Sequence, residues 1–307
     1  MSNVIVTGAN GFVGRNLIKN LIDKDFEVTA LDIQFSEELK KEKKVTCVEC
    51  NLFEIKNLNL ERNNYDYFIH LAWTATSGAG RGDYSAQLRN VKMTCDCVKI
   101  ASSLNCKKFI YASSINEVET YEYLNMNDVR PGLGYIYGTG KLAAHLMGET
   151  VAYQEQIGFI PVLITNIYGA GEKSARLINS SIRKLMNNEH CSFTEGNQLY
   201  DFIYIDDAIG SIISIIEKGK AFNLYYIGSG NPKPLKDYLI EMKDIVNPSN
   251  ELGLGEIPFN GAMVDYSQFE LNKVFKDTGY QNKIEFSEGI KMTMDYILKE
   301  NENVTKI

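Results

Sequence analysis

Val4-Ile5-Val6-Thr7-Gly8-Ala9-Asn10-Gly11-Phe12-Val13-Gly14 is the stretch that decides the fold. Three apolar β-branched residues read as a strand. An apolar stripe at helical spacing follows at once, made of Phe12, Val13, Leu17, Ile18, Leu21 and Ile22. Between strand and helix, Gly8, Gly11 and Gly14 stand in the spacing Gly-x-x-Gly-x-x-Gly. Glycines at such a turn permit a tight reversal, close approach of backbone to a pyrophosphate, and close packing of helix on strand. The helix start adds unpaired N–H groups and a positive dipole end for phosphate. Three glycines alone are weak evidence, but their place between a strand and a helix predicts a dinucleotide loop. It puts Gly8, Asn10, Gly11, Phe12, Val13 and Gly14 at the cofactor.

Asp32 ends the next strand, 18 residues beyond Gly14. A carboxylate there accepts both ribose hydroxyls of NAD and repels a 2′-phosphate. The following Ile33-Gln34-Phe35 offers no arginine for that phosphate. NAD is therefore expected rather than NADP. The plainer alternative is a strand-end aspartate that caps a loop.

Strand candidates recur at Asn3–Thr7, Val28–Asp32, Val45–Cys50, Tyr67–Ala72, Lys108–Ala112 and Pro161–Thr165, with helical stretches between them. This alternation, with near-continuous apolar strands, predicts an α/β fold: a doubly wound parallel sheet of Rossmann type. After Asn166 the rhythm changes. A helix over Ala175–Asn187, a strand pair at Cys191–Thr194 and Asp201–Tyr204, and a helix over Asp206–Glu217 are expected. Residues 1–166 are read as the NAD-binding domain. Residues 167–307 are read as a smaller substrate lobe, partly interleaved with the first.

The chain has 307 residues, 44% of them hydrophobic, so a sizeable core is available and wholesale disorder is excluded. A net charge of −7 argues against nucleic acid or an anionic membrane as the main partner. No apolar run reaches the ~20 residues of a membrane helix. The first residues run straight into a strand, so no signal peptide is expected and a cytoplasmic location is. Cys47-x-x-Cys50 lies in a strand-like run without a second pair at metal spacing. The six cysteines are read as free thiols, with no metal site.

Tyr137-x-x-x-Lys141 opens a helical run (Gly138–Ile157) just after the fifth strand and a loop. At i,i+4 the two side chains share a helix face. A neighbouring ammonium lowers a phenol's pKa, which suits the tyrosine to acid and base work. Ser114, just past the fifth strand, is placed to hydrogen-bond a reacting oxygen.

Taken with these, His70-Leu71-Ala72, Asn90, Tyr111-Ala112-Ser113-Ser114, Asn166-Ile167-Tyr168-Gly169, Asp201-Phe202 and Tyr226-Ile227-Gly228-Ser229-Gly230 extend the pattern over nearly the whole chain. The sequence resembles the extended short-chain dehydrogenase/reductase family, the NAD-dependent epimerase/dehydratase group that modifies nucleotide sugars. The resemblance implies that Tyr137 is the acid/base, Lys141 its activator and a nicotinamide-ribose ligand, and Ser114 the hydroxyl orienter. It places Asn51 and Leu52 beside adenine, and Leu71, Ala72, Trp73, Asn90 and Ala112 along the cofactor cleft. On the substrate side it implies Thr74, Arg81, Asn116, Asn166, Arg176 and Tyr200 beside Ser114.

Departures from the family pattern are specific. Tyr200 and the segment Met263-Val264-Asp265-Tyr266 lack the arginines usually used for the substrate diphosphate; Lys173, Arg176 and Arg183 lie nearby in sequence. Trp73–Tyr84 is glycine-rich, either a substrate loop carrying Arg81 or a flexible connection. Ile115-Asn116-Glu117 lacks the Thr-Asp-Glu signature of sugar 4,6-dehydratases. Glu117 is read as solvent-facing, with acid/base work as the alternative.

The expected activity is 4-epimerisation of a nucleotide sugar through a transient 4-keto sugar. The alternatives are reduction of a nucleotide-linked 4-keto-6-deoxysugar and non-catalytic NAD binding. A homodimer is expected, with Leu142, Leu146, Met147, Val151 and the Val91–Ala101 stripe forming its surface.

Overall fold

Apolar β-branched runs and amphipathic helices alternate in the first half, and each becomes an element of a three-layer α/β structure. The structure, a computed structural model, describes residues 2–127 and 131–304. In chain order the first half holds β1 (Asn3–Thr7), α1 (Phe12–Asp23), β2 (Glu27–Asp32), α2 (Glu37–Lys40), β3 (Val45–Glu49), β4 (Tyr67–His70), α3 (Tyr84–Ser103), β5 (Lys108–Ser114), α4 (Ile115–Tyr123), α5 (Leu133–Gln154) and β6 (Gly158–Ile164). The second half holds β7 (Asn166–Tyr168), α6 (Leu177–Met186), β8 (Cys191–Ser192), β9 (Leu199–Tyr200), β10 (Phe202–Tyr204), α7 (Ile205–Lys218), β11 (Tyr225–Ile227), β12 (Lys233–Pro234), α8 (Leu235–Val246), β13 (Leu252–Gly253), α9 (Lys273–Thr278) and α10 (Phe286–Val304).

The main sheet has seven strands in the order β11-β6-β5-β4-β1-β2-β3. All its pairings are parallel. Strand order reverses between β1 and β4, and the crevice above that point is where such sheets bind ligands. Gly8, Asp32, Leu71, Ser114 and Thr165 all sit at or just past the carboxyl ends of their strands. Helices cover both faces, so β1, β5 and β6 are buried almost throughout. The seventh strand, β11, comes from beyond residue 166.

Three local expectations differ from the structure. The segments at Cys191 and Phe202 are not paired with each other: β8 pairs with β13, and β10 pairs in parallel with β7. Adjacent β-rich runs suggested a hairpin, but both strands found partners farther along the chain. The Tyr-Lys helix begins at Leu133, so Tyr137 lies in its second turn. Of the stripe expected at a partner surface, Val91, Thr94, Val98 and Ala101 are buried within the chain and Cys95 is half-buried.

Candidate active site

The glycine turn explains itself in space. Gly8 has φ +66°, and a Cβ there would lie 2.9 Å from the Ala72 backbone nitrogen, at the end of β4. A Cβ on Gly14 would sit 2.2 Å from the Gly8 carbonyl oxygen. Only bare backbone lets α1 start this close to the sheet. Gly11 caps α1 without a side-chain bond, which leaves the first-turn amides free for an anion. Asp32 accepts from Asn10 N at 2.9 Å and Ile33 N at 2.8 Å, so it also orders the loop it follows. Asn10 Oδ1 in turn accepts from Ser36 N at 3.2 Å.

A cavity of about 300 Å³ lies over this turn, lined by Gly8, Gly11, Phe12, Val13, Gly14, Leu71, Trp73, Ala112, Ser114, Tyr137, Lys141 and Arg176 among others. A second, of about 480 Å³, is lined by Arg81, Ser114, Asn116, Tyr137, Asn166, Arg176 and Tyr200 among others. Ser114, Tyr137 and Arg176 belong to both. The catalytic candidates therefore stand where the two spaces meet. The first space fits part of a dinucleotide, with a glycine cradle, free helix-start amides and the Lys141 ammonium; the Asp32 carboxylate lies outside its lining, at the far end of the same turn.

Lys141 is buried. Its Nζ donates to the Ala112 carbonyl at 2.7 Å and lies 3.8 Å from the centre of the Trp73 ring. Trp73 is fixed by its Nε1 donating to Gln87 Oε1 at 2.8 Å. Burial pushes the Lys141 ammonium down to about 7; Glu117 opposes that shift and Arg176 adds to it. Burial also pushes the Tyr137 phenol up, against a Ser114 hydrogen bond and the charges of Arg176 and Arg81. His70 is a structural neighbour: it is held between Thr7 and Thr94, and burial and then the Lys141 charge push it down to about 3.

Some predicted site residues lie on neither cavity. Asn90 is fully buried and occupied by Thr74: its Oδ1 accepts from Thr74 N and Oγ1, and its Nδ2 donates to the Thr74 carbonyl. The pair fixes the loop after β4. Asn51 is exposed and accepts from Phe53 N, while Leu52 is packed into the core beneath it. Ala72 sets the floor against which Gly8 rests.

Arg81 reaches the second cavity from its loop. Its guanidinium lies 4.7 Å from the Tyr137 ring centre, and its Nε and one terminal nitrogen are buried without a hydrogen-bond partner. The loop thus delivers a cation to the second cavity. Of the other candidates, Lys173 and Arg183 pair with Glu300 away from the site, whereas Arg176 lines both cavities, with its Nε 4.0 Å from the buried Glu172 carboxylate. Asp201, Asp207 and Tyr226 are structural. Asp201 holds Tyr226 and the Ser229-Gly230 turn, and Asp207 holds Tyr280 and the amides of Lys283 and Ile284.

Glu117 overturns its sequence reading. It is 4% exposed, and its two oxygens accept from Ser113 Oγ and from His145 Nδ1 at 3.0 Å. The missed signal was Gly138. A Cβ there would lie 2.1 Å from Thr120 Oγ1, so α4 packs hard against α5 and buries the face that carries Glu117.

A parallel sheet with a glycine turn at its switch point, facing a buried Tyr-Lys pair, defines a dinucleotide-cofactor enzyme. A model of the NAD dependent epimerase/dehydratase family matches residues 4–228, and the chain belongs to that family. CDP-abequose synthase of Salmonella muenchen is 26% identical over 263 residues, spanning 83% of this chain and 84% of its own length. dTDP-D-glucose 4,6-dehydratase of Homo sapiens is 25% identical over 321 residues, spanning 95% and 89%. Among solved structures, the Bordetella bronchiseptica enzyme WbmF in complex with NAD+ aligns with a TM-score of 0.79 at 19% identity, covering 99% of this chain and 95% of its own. UDP-glucose 4-epimerase from Thermotoga maritima aligns at 0.78 and 19% identity, covering 97% and 99%. At that identity the solved structures speak for the fold. Among the described residues, no helix is long and apolar enough to cross a membrane.

Proposed function

We propose that the chain is an NAD-dependent nucleotide-sugar 4-epimerase. The observation that carries this reading is the placement of Tyr137 and Ser114 at the junction of the two cavities, with Lys141 behind them. Ser114 orients the C4 hydroxyl and Tyr137 takes its proton. NAD held over the Gly8–Gly14 turn would supply the hydride acceptor and donor for C4. Tyr137 then returns the proton to the new alcohol. Lys141 would hold the nicotinamide ribose and favour the phenolate form of Tyr137. Arg176 and Arg81 supply the cations for the anionic substrate that Tyr200 does not.

Among the described residues lining the second cavity there is no aspartate or glutamate, and the one carboxylate lining the first, Glu172, is paired with Arg176. Elimination of water from a sugar needs such an acid/base, so this favours epimerisation over 4,6-dehydration. The similarity to CDP-abequose synthase keeps a 4-keto-sugar reductase as the second reading; Asp32 weighs against NADPH and hence against net reduction. The test is incubation of the NAD-loaded protein with UDP-, dTDP- and CDP-hexoses, read by NMR. Epimer formation without net cofactor turnover supports the proposal. Stoichiometric NAD(P)H oxidation on a 4-keto sugar replaces it with the reductase. We also propose a homodimer through α3 and α5, where Leu88, Leu146 and Met147 are exposed; a monomer mass by light scattering would remove it.

A further inference from the structure

The mechanism above leaves the buried acid Glu117 unused. We propose that Glu117 is the counter-charge of the Lys141 ammonium, clamped by Ser113 and His145, and thus a positioning residue for cofactor binding. Two adjacent brackets carry the argument. The Lys141 ammonium is held between α5 and the Ala112 carbonyl on β5. The Glu117 carboxylate is held between His145, one turn further along α5, and Ser113, the next residue of β5. Residues four apart on a helix lie about 6 Å from each other. The two brackets are therefore adjacent between strand and helix, close enough for the Glu117 charge to act on Lys141, while Lys141 also lines the first cavity. Among the described residues no carboxylate pairs directly with Lys141, and an isolated buried ammonium is costly.

The surrounding groups do not replace Glu117. From β5, Tyr111 uses its hydroxyl to donate to the Lys141 carbonyl at 3.1 Å, and Cys95 of α3 lies near that phenol. His70 of β4 is held neutral by burial. Arg176 and Arg81 are cations on the cavity side; Arg176 acts on both Lys141 and Tyr137, and Arg81 on Tyr137. Glu149 acts on His145 from the next turn of α5. Burial pulls the His145 imidazole down, but the Glu117 hydrogen bond and charge outweigh it, so the net shift is upward. The Glu117 carboxylate thus acts on His145 on one side and on Lys141 on the other.

This inference rests on the assignment of Lys141 to the nicotinamide ribose. A charged amine donates more strongly than a neutral one, so NADH affinity falls as Lys141 loses its proton. The test is NADH binding by fluorescence from about pH 6 to pH 9.5 on the wild type, Glu117→Gln and Lys141→Met. Glu117→Met is a second charge-free variant of similar length, should the amide variant not fold. The midpoint of the affinity loss is expected to drop by about one pH unit without the carboxylate. In the Lys141→Met background, removing Glu117 should change nothing further. An unmoved midpoint, flat profiles in both wild type and variant, or an equal effect in the Lys141→Met background overturns the counter-charge role. A Lys141→Met protein that binds NADH as tightly as the wild type overturns the ribose assignment itself.

Discussion

The cofactor cleft is made mostly of backbone and small residues drawn from β1, α1 and the ends of neighbouring strands. The substrate cavity is made of side chains from separated segments: Arg81 after β4, Asn116 on α4, Asn166 on β7, Arg176 before α6 and Tyr200 on β9. The first is specified by a contiguous turn whose geometry tolerates few residues. The second is specified by convergence, and each contributor can change without disturbing the others. One fold can therefore keep its cofactor while its sugar changes, as the differing names of its relatives illustrate.

Tyr137 stands on the border of the two regions and tests whether they share one centre. Tyr137→Phe removes a single hydroxyl. Turnover is expected to fall about 10²- to 10⁴-fold, the usual worth of general acid–base assistance. NADH affinity and melting temperature should stay close to wild type. Near-normal turnover of the true substrate would detach the chemistry from this junction.

Arg81→Met breaks only the substrate side. Its two unpartnered nitrogens point to a strong acceptor, and a hydrogen bond to a charged group is worth roughly 1.5–3 kcal/mol. KM for the nucleotide sugar should rise about ten- to a hundredfold, with NADH affinity unchanged. If both constants move together, the two regions are less separate than their construction implies. Asp32→Ala breaks only the cofactor side. The preference for NAD over NADP should fall by roughly tenfold, measured by calorimetry with each dinucleotide. An unchanged ratio would reduce Asp32 to the loop-capping role its bonds to Asn10 and Ile33 already give it.

The same contrast governs what could be read from sequence. Gly8, Gly14 and Asp32 were legible because a short-range turn fixes them, and Tyr137 with Lys141 because a helix repeats predictably. Glu117 was misread because exposure of one glutamate depends on how two helices approach, and only Gly138 records that approach in sequence. The pairing of β8 and β10 was misread because their partners, β13 and β7, lie elsewhere in the chain. Asn90 carries the family's position yet spends its amide on Thr74, a bond between residues 16 apart that no local pattern reveals.

The smallest expected effect concerns how the two regions meet beneath Tyr137, and it needs no ligand. Burial pushes Lys141 down to about 7 from its ordinary 10.5. Between those values the unfolded chain holds a proton that the folded chain has released, so this residue makes stability rise with pH. His145 runs the other way. Its folded pKa is raised above the ordinary 6.5, so its contribution is present below that value and is lost as pH climbs through the folded one. Wild type alone would mix the two slopes, and comparison with Lys141→Met separates them. Denaturant melts at pH 7, 8 and 9 should show the wild type gaining on the variant, by at most about 1.4 kcal/mol per pH unit for one proton. The variant, freed of a buried ammonium, should be the more stable protein at the lowest pH. Parallel curves would mean that Lys141 stays charged throughout, with Glu117 compensating it fully even before the cofactor arrives.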